Sequence, residues 1–315
     1  MIAPARPPGA TARVPPRGAR EAQAPSVRNA AWYDAQYDAR AGIPEQAEIR
    51  AGWSERSAHT RASVPCRLDL PYGDHPTERL DVFGPAAGHA DRPAPVLVYI
   101  HGGYWRALDK QDQSFIAAPF VEAGAVVVLP NYALAPAVTV RHIVLQMVRA
   151  VAWVHRHIGA HGGDPARLVV AGHSAGGHLA AMMLACRWSE VGSDLPPHLV
   201  SSAIALSGVF DLAPLRRAPF LASDLALTAA EARALSPARL PAPTAGRLVA
   251  VVGGDESAEF HRQTRLIRRA WGPATVPVCE SVPGRHHMNV LHTLAEPASR
   301  VHRLALQRLG LDAQA

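Results

Sequence analysis

The 315-residue chain is poor in cysteine and in long apolar runs, and beyond its first residues it carries little net charge. Its three cysteines, Cys66, Cys186 and Cys279, are odd in number and show no C-x-x-C spacing. That excludes a disulfide framework and a cysteine zinc site, and it suits a reducing, cytoplasmic compartment. No stretch of 18 or more uninterrupted apolar residues occurs. The nearest run, AGAVVVLPNYALAPAVTV, is interrupted by Pro130, Asn131 and Pro136, so no membrane span is expected. Prolines and arginines cut every candidate apolar core near the start of the sequence, so no secretory signal is expected either. The sixteen histidines do not form H-E-x-x-H, and His286, His287 and His292 lack carboxylates at helical ligand spacing. Neither a metal nor a cofactor is expected.

The net charge of +6 would suggest an anionic partner if it were spread over the chain. Instead, residues 1–28 hold five arginines against the single acid Glu21, together with six prolines and almost no large apolar side chain. Such a segment cannot bury enough surface to offset the entropy of ordering it, and it is read as a disordered, solvated tail. Residues 29–315 are then nearly neutral and read as one domain. No nucleic acid or membrane partner is expected; the partner is a small-molecule substrate, and a homodimer is allowed for.

What the chain does have is a succession of short apolar runs: VLVYI (96–100), AVVVL (125–129), LVVA (168–171), AIAL (203–206) and LVAVV (248–252). Runs without polar alternation fit strands covered on both faces, hence a parallel sheet. Between the second and third, Val140, Ile143, Val144, Met147, Val148, Val151, Val154 and Ile158 recur at helical spacing and end near GAHGGDP. The fold class is α/β, a mostly parallel central sheet with helices on both faces. Ala31 to Thr60 reads as helical packing ahead of the sheet, and RLDVFG as an edge strand. In such sheets, ligands bind outside the carboxyl ends of the strands.

Ser174 lies there, in VVAGHSAGGHL, directly after an apolar strand and before an alanine-rich helix, the setting of a nucleophile elbow. Gly172 and Gly176 allow a tight turn that leaves the serine oxygen exposed. After the first apolar strand, HGGYW places two glycines where backbone N–H groups can meet a substrate oxygen. Gly102 and Gly103, with Ala175, are the candidate oxyanion hole. A serine hydroxyl needs a base and an orienting acid. The loop after LVAVVGG offers Asp255, with Asp211 of SGVFDL as the alternative; the loop after CESVPG offers His286 and His287. Asp164 lies before a strand, at the wrong end of the sheet.

These segments, HGGYWRALDK (101–110), GHSAGGHLAAMML (172–184), SGVFDL (207–212), GGDESAEFHRQ (253–263) and PGRHHMNVL (283–291), resemble the α/β-hydrolase superfamily. Within it, the likeness is to the kynurenine formamidase (arylformamidase) group and its bacterial esterase relatives, from about Trp32 onward. HGG followed by Tyr104 and Trp105 is the more specific part. The resemblance implies Ser174 as nucleophile, His287 rather than His286 as base, Asp255 as its orienter, and Gly102, Gly103 and Ala175 as oxyanion donors. It implies cleavage of an N-formyl arylamine through a formyl-serine, with Met288 standing where the family has an aromatic. Tyr104, Trp105 and Arg106 are the candidate pocket residues. Trp105 belongs either against the substrate ring or in the core, and Arg106 either on a substrate carboxylate or in a salt bridge. A carboxylesterase would use the same constellation, and a non-catalytic binding protein of this fold is the reading from a different class.

Overall fold

The computed structural model of the protein describes residues 28–84 and 92–311. Eight strands, β1 (Cys66–Pro71), β2 (Arg79–Phe83), β3 (Ala94–Ile100), β4 (Val126–Pro130), β5 (Gly163–His173), β6 (Val200–Leu206), β7 (Arg247–Gly253) and β8 (Val278–Val282), form one sheet in the order β1-β2-β4-β3-β5-β6-β7-β8. β1 pairs antiparallel with β2, and β2 antiparallel with β4; every other pairing is parallel. The apolar runs are strands for the reason the sequence suggests. All seven residues of β3 and all five of β4 are buried, because helices cover both faces.

Alternation within β3 divides the core in two. Val96, Val98 and Ile100 pack into one layer, and Leu97 and Tyr99 into the other, as successive side chains of a strand must. The first layer is closed by α4 (Val140–His157) and α5 (Ala175–Leu184); α4 buries Val140, Ile143, Val144, Met147, Val151 and Val154. Thr139 caps α4 by accepting the His142 N–H at 3.1 Å, and His155, Arg156 and His157 lie in its last turn, where the helix dipole favours cations. The second layer holds Phe120 of α3 (Ala117–Glu122) and Val301 and Leu304 of the helix Arg300–Leu309.

RLDVF is not the edge strand that the sequence predicts. β2 is covered on both sides, and β1 lies outside it. β1 escapes notice because its residues are mostly exposed and its pairing shifts register between Arg67 and Leu70.

The segment before the sheet forms α1 (Ala30–Tyr37) and α2 (Gln46–Ser63), separated by Gly42 and Pro44. α1 is anchored by Glu259, a carboxylate only 2% exposed. It accepts the Tyr37 hydroxyl at 2.8 Å and Arg262 Nε at 2.9 Å. Of the predicted tail, 1–27 lie outside the described residues. Arg28 is described: it pairs with Glu259 at 3.3 Å and lies 4.3 Å above the Trp32 ring.

His178 of α5 is fully buried, and its Nε2–H donates to the Leu235 carbonyl at 2.7 Å. Burial pushes this imidazole down to about 4. An unfolded chain protonates histidine near the ordinary value of about 6.5, so the stability linked to His178 is complete above that pH. It is lost as pH falls from there towards 4, by about 3 kcal/mol. Urea denaturation at pH 7 and at pH 4.5 should therefore show a smaller loss of stability for His178→Gln than for the parent. An equal loss would contradict this account.

Candidate active site

The carboxyl ends of β3, β5, β6, β7 and β8 converge, and each contributes a group. At the end of β5 the chain turns so sharply that Ser174 is held at φ 57° and ψ −116°, a conformation rarely taken by a residue with a side chain. The flanking glycines are required by distance. A Cβ on Gly172 would lie 2.2 Å from the Gly176 carbonyl oxygen, and one on Gly176 would lie 2.0 Å from that of Ile100. α5 thus starts pressed against β3 and β5, with Ser174 at its N-cap position. The Ser174 N–H is fixed by the Leu206 carbonyl at 2.8 Å.

The loop after β3 wraps around this turn. A Cβ on Gly102 would stand 3.3 Å from the Ser174 Cβ and 2.8 Å from the His173 carbonyl oxygen, so only glycine lets the backbone come this close. The N–H groups of Gly103 and Ala175 have no acceptor among the described residues. His101 holds the start of the loop: its ring nitrogens lie 2.9 Å from the Gly102 carbonyl and 3.1 Å from Asn131 Oδ1, and it stacks on Tyr132 at 4.2 Å. Further along, the Tyr104 hydroxyl donates to the Tyr37 carbonyl of α1.

His287 follows β8. Its Nδ1 lies 2.7 Å from Glu256 Oε2, so the proton sits on Nδ1 and Nε2 is left with a free lone pair. Glu256 has no exposed side-chain surface. Its Oε1 accepts the Gly253 N–H at 2.7 Å and the Ser207 hydroxyl, so the ends of β6 and β7 both supply donors to one carboxylate. The residue before the serine also holds His287. Burial pushes the His173 imidazole well below its ordinary value, and its Nε2–H donates to the His287 carbonyl at 2.7 Å. The His287 ring lies between His173 and Phe260, at centroid distances of 4.7 and 4.5 Å.

The acid expected from the sequence, Asp255, is not the one at the histidine. The Asp255 N–H donates to the Arg285 carbonyl at 3.0 Å, and its side chain is exposed. That turn directs the next residue, Glu256, inward, where its longer side chain reaches Nδ1. Asp211 is occupied elsewhere, with Arg239 at 3.1 Å. His286 is close to His287 in sequence but bonds away from Ser174, to Glu45 at 3.0 Å.

Ser174 and His287 line one cavity of about 190 Å³, and the Ser174 hydroxyl makes no hydrogen bond to a described residue. In an unliganded site such a contact often tightens only when substrate is bound. Of the predicted pocket residues, Tyr104 and Arg106 line this cavity, beside Gly103 of the expected oxyanion loop, but Trp105 does not. Trp105 is fully buried, edge-on to His178 at 5.0 Å, in a turn where Tyr104 and Trp105 both take positive φ (51° and 57°). Arg106 is engaged by Asp224 and the Phe220 carbonyl, and lies over the Phe220 ring.

The aromatic walls missed by sequence reading are Phe220, from the segment between β6 and β7, and Trp53 of α2. Phe220 meets Tyr104 edge to face at 6.0 Å. The Trp53 indole donates to His292 Nε2 at 2.8 Å, and burial pushes His292 down to about 4, which keeps that nitrogen an acceptor. Met288 also lines the cavity, as the apolar neighbour expected beside His287. Among the described residues, no group of three or more His, Cys, Asp or Glu could hold a metal ion, and no helix is long and apolar enough to cross a membrane.

With this geometry in place, the comparisons with known proteins are specific. Residues 80–217 match the BD-FAE family model. The kynurenine formamidase of Danio rerio is 33% identical over 259 residues, spanning 79% of this chain and 84% of that protein. Esterase LipQ of Mycobacterium tuberculosis is 34% identical over 149 residues, 46% of this chain and 35% of its own length. Among solved structures, a candidate thioesterase from Silicibacter sp. TM1040 superposes with a TM-score of 0.75 at 31% identity, covering 85% of this chain and 96% of its own.

Because Trp105 is core and not cavity wall, Trp105→Ala should lower unfolding stability by about 3–5 kcal/mol in urea denaturation. In the protein that remains folded, Michaelis constants for aryl and small alkyl esters should change together. A change confined to aryl substrates would return Trp105 to the pocket.

Proposed function

From the membership of this chain in the kynurenine formamidase family of α/β-hydrolases, we propose that it cleaves N-formyl arylamines, with N-formyl-L-kynurenine as the type substrate, to formate and the free amine. The observation that carries this reading is the junction of a Ser174, His287 and Glu256 constellation with a cavity walled by Trp53, Tyr104 and Phe220. Such rings offer offset or edge contacts to a substrate aryl group.

In this mechanism His287 Nε2 takes the Ser174 proton as Oγ attacks the formyl carbon. The oxyanion that forms is stabilised by the N–H groups of Gly102, Gly103 and Ala175. Charge growing on the imidazolium is balanced by Glu256, which is already fixed by two other donors and need not reorganise. The C–N bond breaks as His287 returns its proton to the departing arylamine nitrogen. Water, deprotonated by the same Nε2, then attacks the formyl-serine, releasing formate and restoring Ser174. A second reading, hydrolysis of small acyl esters, is favoured by the similarity to esterase LipQ and uses the same atoms.

Ser174→Ala should abolish turnover of N-formyl-L-kynurenine followed by absorbance, and p-nitrophenyl acetate hydrolysis with it. Efficient ester cleavage beside negligible formamide cleavage in the parent protein would move the assignment to carboxylesterase. Glu256→Gln should lower kcat/KM on either substrate by about 10³-fold or more, since the orienting carboxylate sets the tautomer. Asp255→Asn should stay within about threefold of the parent. The reverse ranking would restore Asp255 as the orienter.

A further inference from the structure

The stretch from Asp38 to Glu45, between α1 and α2, lies against both halves of the site. Asp38, Ala39 and Arg40 line the cavity that holds Ser174. Asp38, Ala39 and Glu45 also line a second cavity, on the side of His287 where Glu256 lies. The stretch is therefore the partition between two cavities that share the His287 side chain. It is fastened at two points. At its start, the Tyr37 carbonyl accepts the hydroxyl of Tyr104 from the loop that carries Gly102 and Gly103. At its end, Glu45 Oε1 lies 3.0 Å from His286 Nε2.

His286 makes this second fastening specific. Its Nδ1 accepts the N–H groups of Met288 and Asn289 at 3.2 and 3.3 Å, while its own N–H donates to Asn289 Oδ1 at 2.8 Å. An imidazole whose Nδ1 is an acceptor carries its proton on Nε2, so Nε2–H donates to the Glu45 carboxylate, a charge-assisted bond. One ring thus folds the turn that presents His287 and, through its other nitrogen, holds the wall facing the substrate.

We propose that Glu45 and His286 are a coupled pair of positioning residues, one imidazole fastening both the substrate wall and the turn that carries His287. The Nε2–Glu45 bond fixes the wall, and the Nδ1 contacts fix the base turn. The inference rests on the assignment of Ser174 and His287 above, not on the formamide as substrate. The two roles separate by substitution. His286→Asn places an amide oxygen where Nδ1 was and cannot reach Glu45; His286→Gln reaches toward Glu45 and gives up the turn acceptor.

The test is steady-state hydrolysis of p-nitrophenyl acetate, beside N-formyl-L-kynurenine, by the full-length protein at a temperature well below its unfolding midpoint. Active sites are counted with a serine-directed phosphonate, which restricts the comparison to folded enzyme. Glu45→Ala and His286→Asn should each raise KM by about fivefold, the upper scale of a partly exposed charged pair, with kcat within about twofold. The double variant should be no worse than either single one, because both remove the same bond. His286→Gln should lower kcat with little change in KM. A KM for Glu45→Ala within twofold of the parent, or Glu45→Ala and His286→Asn effects that multiply in the double variant, would overturn the coupling. Failure of the formamide alone, with the ester pattern intact, would count against the proposed substrate and leave the coupling standing.

Discussion

The site is organised around a single buried carboxylate. Glu256 has no exposed side-chain surface and receives three donors: the Gly253 N–H from its own strand end, the Ser207 hydroxyl from β6 and His287 Nδ1 from the turn after β8. A carboxylate so placed would be costly without these partners, and each partner comes from a different strand end. The sheet must therefore be in register from β6 to β8 for the charge to be satisfied. Once it is, the histidine has one tautomer and one orientation. The strain at Ser174 is sustained in the same way, by close packing of α5 against β3 and β5.

Much of the fold is legible in the sequence because its inner strands are buried on both faces. β3 to β7 appear as uninterrupted apolar runs, and α4 as a clear helical repeat. β1 is illegible for the opposite reason: an exposed edge strand with a register shift has neither an apolar run nor strict alternation. The glycines of GHSAGG and HGG are equally readable, since each motif follows directly on an apolar run, although the contacts that demand Gly102 and Gly176 join two different strand ends.

Legibility stops where a residue's role depends on which way a turn faces. Asp255 and Glu256 are adjacent acids in GGDES, and only the Asp255–Arg285 backbone bond decides that the second points inward. Asp and Glu both serve as orienters in this fold, so GGDES carries two candidates that the sequence alone does not separate. Tyr104 and Trp105 are likewise adjacent, and only the first lines the cavity while the second is core. Phe220 and Trp53 lie far from the motifs in sequence, and nothing local marks them as neighbours of Ser174.

The division between the parts that do chemistry and the parts that enclose the substrate has a consequence for how the molecule can change. Ser174, His287 and Glu256 belong to strand ends, whose positions are constrained by the whole sheet. Trp53 and the 38–45 partition belong to a segment that precedes the first strand. Exchanging or lengthening that segment alters the cavity beside Ser174 without moving a strand. Variation in the cavity wall can therefore accumulate between residues 30 and 63 while the strand ends behind them stay the same.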